Sequence, residues 1–247
     1  MNKENFNLTD FDKVIISGPF DFIISRSDSY SVSLTKSWFQ NIVISKDGHD
    51  LRVYRHWYDV LSWFTPWSRP SLEVQMPDIT GLELSGACEG SITGFKSSNN
   101  FKLAVRGASR LTGNIIAGDA VYKIVGASVT ELASSVKAFR LTLTGASDFR
   151  GTLKADDGNM YIVGASKLSL SGEMRDVVIR AEGASNLDLK DLITRNTEIR
   201  LTGASRCSVN TDGKLDADLS GACRLAYSGS PVMGNVRTVG ASTITKA

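Results

Sequence analysis

Reactive side chains are scarce in this sequence of 247 residues, which holds two histidines and three cysteines. The cysteines, Cys88, Cys207 and Cys223, are odd in number and follow no metal-ligand spacing, so neither a zinc centre nor a disulfide framework is indicated. Long apolar runs are missing as well. Stretches such as Val14-Ile15-Ile16 fall far short of the roughly 18 residues that cross a bilayer as a helix. No basic tract exists for nucleic acid or acidic lipid, because 28 basic and 26 acidic residues are scattered along the chain for a formal charge of +2. No segment carries a helix-length apolar stripe. Met1 to Asp10 is polar, so no secretory leader is expected in the sequence as given, and an exported protein would carry one upstream.

What is abundant is a repeat. A Gly-Ala-Ser/Cys tripeptide begins at Gly86, Gly107, Gly126, Gly145, Gly164, Gly183, Gly203, Gly221 and Gly240, at spacings of 21, 19, 19, 19, 19, 20, 18 and 19. So small a drift over nine copies makes each copy one structural unit, with insertions absorbed in loops. Four residues before each glycine stand Leu82, Leu103, Tyr122, Leu141, Met160, Ile179, Ile199, Ala217 and Val236. Two before it the series is again mostly apolar, from Leu84 and Val105 to Leu219, while the position between is mostly polar, as at Glu83, Lys123, Arg180 and Asp218. That alternation is a β-strand with one face inside. It resumes beyond the corner, where Leu111, Phe149, Leu168, Leu187, Cys207 and Leu225 fall four residues after the glycine. Each unit reads strand, corner, second strand and a looser return.

Two short strands cannot bury their own inward face, so the units must stack, each strand pairing with its equivalent above and below. The expected fold is all-β: a right-handed parallel β-helix of about nine 19-residue rungs, residues 82–247, preceded by a β-rich N-terminal lobe, residues 1–81, that is continuous with the column and caps it. The right hand is preferred because left-handed solenoids follow a hexapeptide arithmetic that 19 does not fit. Nine rungs at about 4.8 Å each make a column of roughly 40 Å.

The corners have two candidate roles. Glycine there permits a positive φ, or a point with no room for Cβ, and Ala suits crowding between rungs. The third residue is Ser seven times and Cys at Cys88 and Cys223, which read as buried substitutes for Ser, too far apart for a disulfide. A nucleophile row would need a base in reach, and His49 and His56 lie outside the repeats. The expectation is a structural stack of hydroxyls bonding one another and the corner backbone.

In the N-terminal lobe the strand candidates are 13–17, 20–25, 30–35, 42–46, 51–55 and 71–76, and Gly18, flanked by Val14, Ile16, Phe22 and Ile24, reads as a degenerate first corner. Between the last two strands, residues 56–67 hold three of the four tryptophans, Trp38 being the fourth. Trp57, Tyr58, Trp63, Phe64 and Trp67 form the candidate binding patch. So aromatic a loop either folds over the column end as a lid or contacts a protein, a sugar or a membrane surface. At the other end the chain stops seven residues after Gly240, and this end is expected to be covered by another subunit or by the missing return of the last rung.

The segments FDKVIISGPFDFIIS and LEVQMPDITGLELSGA, with the recurrent Gly-Ala-Ser corners, resemble the bacterial auto-transporter adhesin head domain (head GIN domain) family over nearly the whole chain from Phe11. The resemblance implies a right-handed β-helix, an extracytoplasmic location and a role in adhesion, and it carries over no catalytic residue. Polysaccharide lyases and hydrolases share the fold, but a lyase wants clustered acids and a hydrolase paired carboxylates. The one adjacent acidic pair in the repeats, Asp156-Asp157, precedes Gly158-Asn159 and reads as an ordinary turn. A regular threonine row of the kind that meets ice is absent.

The expectation is a non-enzymatic exported protein for adhesion, surface structure or scaffolding, with no cofactor, no metal and no nucleic-acid partner. Its partner is a protein or a cell-surface glycan, with self-association through an end of the solenoid. A glycan-binding module using the aromatic loop and a polysaccharide-active enzyme are the alternatives.

Overall fold

The computed structural model describes residues 2–36, 41–55 and 69–247. Among them every regular element is a strand and none is a helix. The repeat folds as expected, into a β-solenoid. Its first face is built by β8 (Gly81–Gly86), β10 (Phe101–Gly107), β12 (Ala120–Gly126) and β14 (Ala138–Gly145), which pair in parallel at equivalent positions. β9 (Glu89–Lys96), β11 (Arg110–Ile116) and β13 (Val129–Ser135) pair likewise beyond the corner.

Further along, the return is not loose. β15 (Asp148–Gly164), β16 (Lys167–Gly183) and β17 (Asn186–Gly203) each run unbroken from one glycine corner to the next, in parallel register over most of their length. Gly151 and Gly172, both at positive φ, lie within these strands and let them bend round the column without leaving the ladder. Polar residues such as Lys154 and Asp157 look like a turn in one dimension, but they occupy outward positions whose backbone is paired above and below. The column continues through β18 (Arg206–Thr211), β19 (Lys214–Gly221) and β20 (Arg224–Ser228) to β21 (Val232–Gly240) and β22 (Thr243–Lys246).

The inward ladders are fully buried from Leu82 to Leu219 and from Leu111 to Leu225. Midway they thicken into an aromatic cluster, in which Tyr122 meets Phe139 edge-on at 5.2 Å and Phe101 at 6.1 Å. Burial pushes the Tyr122 phenol far above its usual range, and its hydroxyl shares a 2.9 Å hydrogen bond with Ser134. Each buried aromatic is worth a few kcal/mol of transfer free energy, so this cluster anchors the middle of the stack.

The N-terminal strands follow a different order in space than in sequence. β2 (Lys13–Gly18) pairs in parallel with β8, placing Gly18 on Gly86, and β3 (Asp21–Arg26) pairs with β9. Gly18 is thus a true corner, one rung before the nine. On their other side β2 and β3 pair with β6 (Asp50–Arg55) and β7 (Ser71–Met76). The first rung in sequence is therefore sandwiched between two that follow it. Antiparallel strands finish this end: β5 (Ile42–Asp47) on β6, β4 (Ser31–Lys36) on β7, and β1 (Asn2–Phe6) on β4. Here the parallel stacking of rungs gives way to antiparallel pairing, and the edge strand β1 is short and carries Lys3 and Glu4, features that discourage further pairing at a sheet edge.

Candidate functional site

The corners are consumed by structure. The nine glycines have φ between 77° and 103°, and a Cβ on Gly126 would stand 2.7 Å from the carbonyl oxygen of Gly107, so both reasons for glycine apply together. That carbonyl accepts the Ala127 amide at 2.9 Å and the Ser128 hydroxyl at 3.1 Å. Ser147, Ser166, Ser185, Ser205 and Ser242 repeat the hydroxyl contact at 3.1–3.2 Å. The hydroxyls thus bond the corner backbone of the preceding rung, as expected, but they do not bond one another, since residues at equivalent positions on successive rungs stand about 4.8 Å apart. Cys88 and Cys223 aim their Sγ atoms at the equivalent carbonyls of Gly18 and Gly203, at 3.1 and 3.6 Å. All three cysteines are free and buried, and burial raises the thiol pKa of Cys88 and Cys207, which keeps them protonated and inert.

The acidic pair proves to be part of a short stack. Asp157 lies beside Asp176 on the next rung. Arg175 bridges them, with Nη2 2.8 Å from Asp157 and Nε 3.0 Å from Asp176, and Asn196 donates to Asp176 at 2.6 Å. The Asn196 hydrogen bond, followed by that of Arg175, holds the Asp176 carboxyl below its usual pKa. A charged, hydrogen-bonded carboxylate is a poor proton donor near neutrality, the reverse of what a general acid needs. The adjoining open groove of about 790 Å³ also holds the Lys154–Glu173 ion pair at 2.6 Å. Among the described residues no set of three His, Cys, Asp or Glu side chains is placed to hold a metal ion. His49 sits in the turn between β5 and β6, exposed, with Nδ1 3.9 Å from Asp10.

The candidate patch of Trp57, Tyr58, Trp63, Phe64 and Trp67, and His56 and Trp38 with it, lies outside the described residues. Its attachment points do not. β6 and β7 belong to one rung, so residues 56–68 are inserted at the position where other rungs carry their glycine corner. At the downstream end Arg69 is fastened to the side of the column: its Nη1 is 3.1 Å from Asp21 and 3.0 Å from Glu89, and its Nη2 donates to the Ala87 carbonyl at 2.8 Å. These partners belong to the two rungs next inward. Beside them an open groove includes Ile23, half exposed, with Arg110 and Thr112. The described chain therefore breaks off at Arg55 and resumes at Arg69 on the side of the column, at the level of a corner, a placement no spacing in the sequence signalled.

A family model described as "Putative auto-transporter adhesin, head GIN domain" matches residues 10–152 and 135–231. No curated protein matches the chain significantly. Several solved structures share its fold. One described as a putative adhesin from Parabacteroides merdae has a TM-score of 0.70 at 11% identity, covering 100% of this chain and 95% of that one. One described as a putative lipid binding protein from Parabacteroides distasonis has 0.69 at 16%, covering 100% and 96%. A second from P. distasonis, described as a putative adhesin, has 0.68 at 14% with the same coverage.

Proposed function

We propose that this chain, which belongs to the auto-transporter adhesin head GIN domain family, is a non-enzymatic extracytoplasmic protein that presents a rigid β-column for adhesion or surface scaffolding. One observation carries the reading: the repeated polar residues are spent on holding rungs together. Each corner serine is committed to a neighbouring carbonyl, and Asp157 of the one adjacent acidic pair in the repeats is held by Arg175. Recognition then falls to outward faces, the column ends and the inserted loop. The test is attachment. Purified protein immobilised on beads should retain them on surfaces bearing the cognate polymer, with no turnover of uronate polymers. Turnover abolished by Asp156→Asn or Asp157→Asn would sink the reading.

Within it, the aromatic composition of residues 56–67 supports a glycan contact, as does Arg69, which fixes the chain just beyond them to the lateral surface of the column. Replacing Trp63 and Trp67 by Ala should then lower glycan-array signals with thermal stability unchanged. Loss of folding would favour a lid. The exposed apolar side chains of β21, Val232, Met233, Val236 and Val239, support self-association through this strand, and light scattering of Val236→Lys against wild type would test it.

A further inference from the structure

Cations scattered in sequence are gathered on the first face. β10, β12 and β14 point Lys102, Arg106, Lys123 and Arg140 outward, all exposed, and carry no acidic residue. Lys102 stands in line with Val121 and then Arg140, two strand spacings or about 9.6 Å away. Lys123 lies on the adjacent outward row between them, and Arg106 closes the group at the corner end. Along the row of Lys123, Thr142 and Tyr161 lead to Arg180. None of these five cations makes an ion pair among the described residues.

The neighbouring faces carry a more mixed set. Arg110 pairs with Glu89, Arg150 with Asp148 and Lys154 with Glu173. Lys167, Arg206 and Arg224 form a second row without ion pairs among the described residues, in line with Asp148 and Asn186, which makes that row the competing cationic surface. Of the acids near the first face, Asp119 is exposed at the return edge, lining one groove with Lys102 and Arg140 and making no ion pair among the described residues, so four cations on β10, β12 and β14 face this one carboxylate. At the borders Glu83 is occupied by Lys13 at 2.7 Å and Glu182 by the Tyr161 hydroxyl at 3.3 Å. At the return edge Asp157 is held by Arg175. Between the cations the floor is small or short: Ala104, Val121, Val125, Thr142 and Thr144. Unpaired like charges crowded on a flat strand surface repel, a cost that a bound polyanion relieves.

We propose that this face binds an acidic polysaccharide chain, carrying carboxylates or sulfates, laid along the column. The surface is flat and open, as an extended polymer requires, and Lys102 and Arg140 are separated by about the length of two linked sugar rings. Tyr161, part exposed at the end of the patch, offers a ring face for sugar stacking. No large apolar side chain projects from β10, β12 or β14 to enter a bilayer, which favours a soluble polymer over a membrane surface. The inference rests on the adhesion reading and gives it a partner class at a site separate from the aromatic loop.

The experiment compares the full chain with K102Q/K123Q/R140Q and with K167Q/R206Q/R224Q, which removes equal charge from the face beyond the corner. Both variants are checked for wild-type circular dichroism. The probes are polygalacturonate, dextran sulfate, neutral dextran and phosphatidylserine vesicles. The expected result is binding to at least one acidic polymer and not to dextran. The first triple should weaken it roughly tenfold or more and flatten the salt dependence, because fewer counterions are released, while the second leaves it nearly intact. Equal loss in both triples, or binding to vesicles alone, would overturn the proposal. Binding lost in W63A/W67A but kept in the first triple would overturn it while leaving the adhesion reading standing. Binding to no surface polymer would remove both.

Discussion

At the scale of single residues, the fold depends on atoms that are missing. A corner glycine takes a φ that costs other residues about 1–3 kcal/mol, and its hydrogens face the preceding carbonyl at a distance no Cβ can share. Gly126→Ala should therefore destabilise the protein by about 2 kcal/mol or more, measured by urea unfolding. The same change at Gly48, in an exposed hairpin turn with open space around its Cβ position, carries only the φ penalty. The corner residues were legible from repetition alone. Of the two partners expected for their hydroxyls, only the corner backbone is used, a choice the sequence leaves open because a row of serines has the same spacing whether each meets another hydroxyl or a backbone carbonyl.

Among elements, the strands of the N-terminal lobe were readable wherever one face is apolar, as in Lys13–Gly18 or Ser71–Met76. β1 was not, because Asn-Lys-Glu-Asn-Phe lies on the sheet edge and buries no continuous face, leaving its pairing with β4 to decide its conformation. The return segments were misread for a related reason: water accepts their outward polar residues equally in a turn or in a paired strand. The inserted loop also belongs to this scale. Its exit is held by Arg69 through exposed contacts worth about 0–1 kcal/mol each. Arg69→Ala is expected to leave the melting temperature within a degree or two and to speed chymotryptic cleavage within residues 56–67, followed by mass spectrometry.

For the molecule as a whole, a stack in which each rung touches mainly its neighbours should tolerate loss of a rung. Excising residues 146–164 joins Gly145 to Ala165 and restores the corner. The shortened chain should keep its β-sheet circular dichroism and unfold cooperatively with a slightly smaller m-value, since less surface is exposed. Aggregation on expression would show instead that the aromatic cluster around Tyr122 and Phe149 cannot lose a layer.

The sequence by itself determined the rung: its length, its corner, and which side chains face inward. Those follow from period-two alternation and a tripeptide whose chemistry is local. Only the tertiary structure decided that the first rung lies between two later ones, that the strands flanking the aromatic segment belong to one rung, and that Lys102, Lys123 and Arg140 share one face. The reason is the pitch. Residues about 19 positions apart are remote along the chain, but stacking brings them one strand spacing apart, where their charges act together.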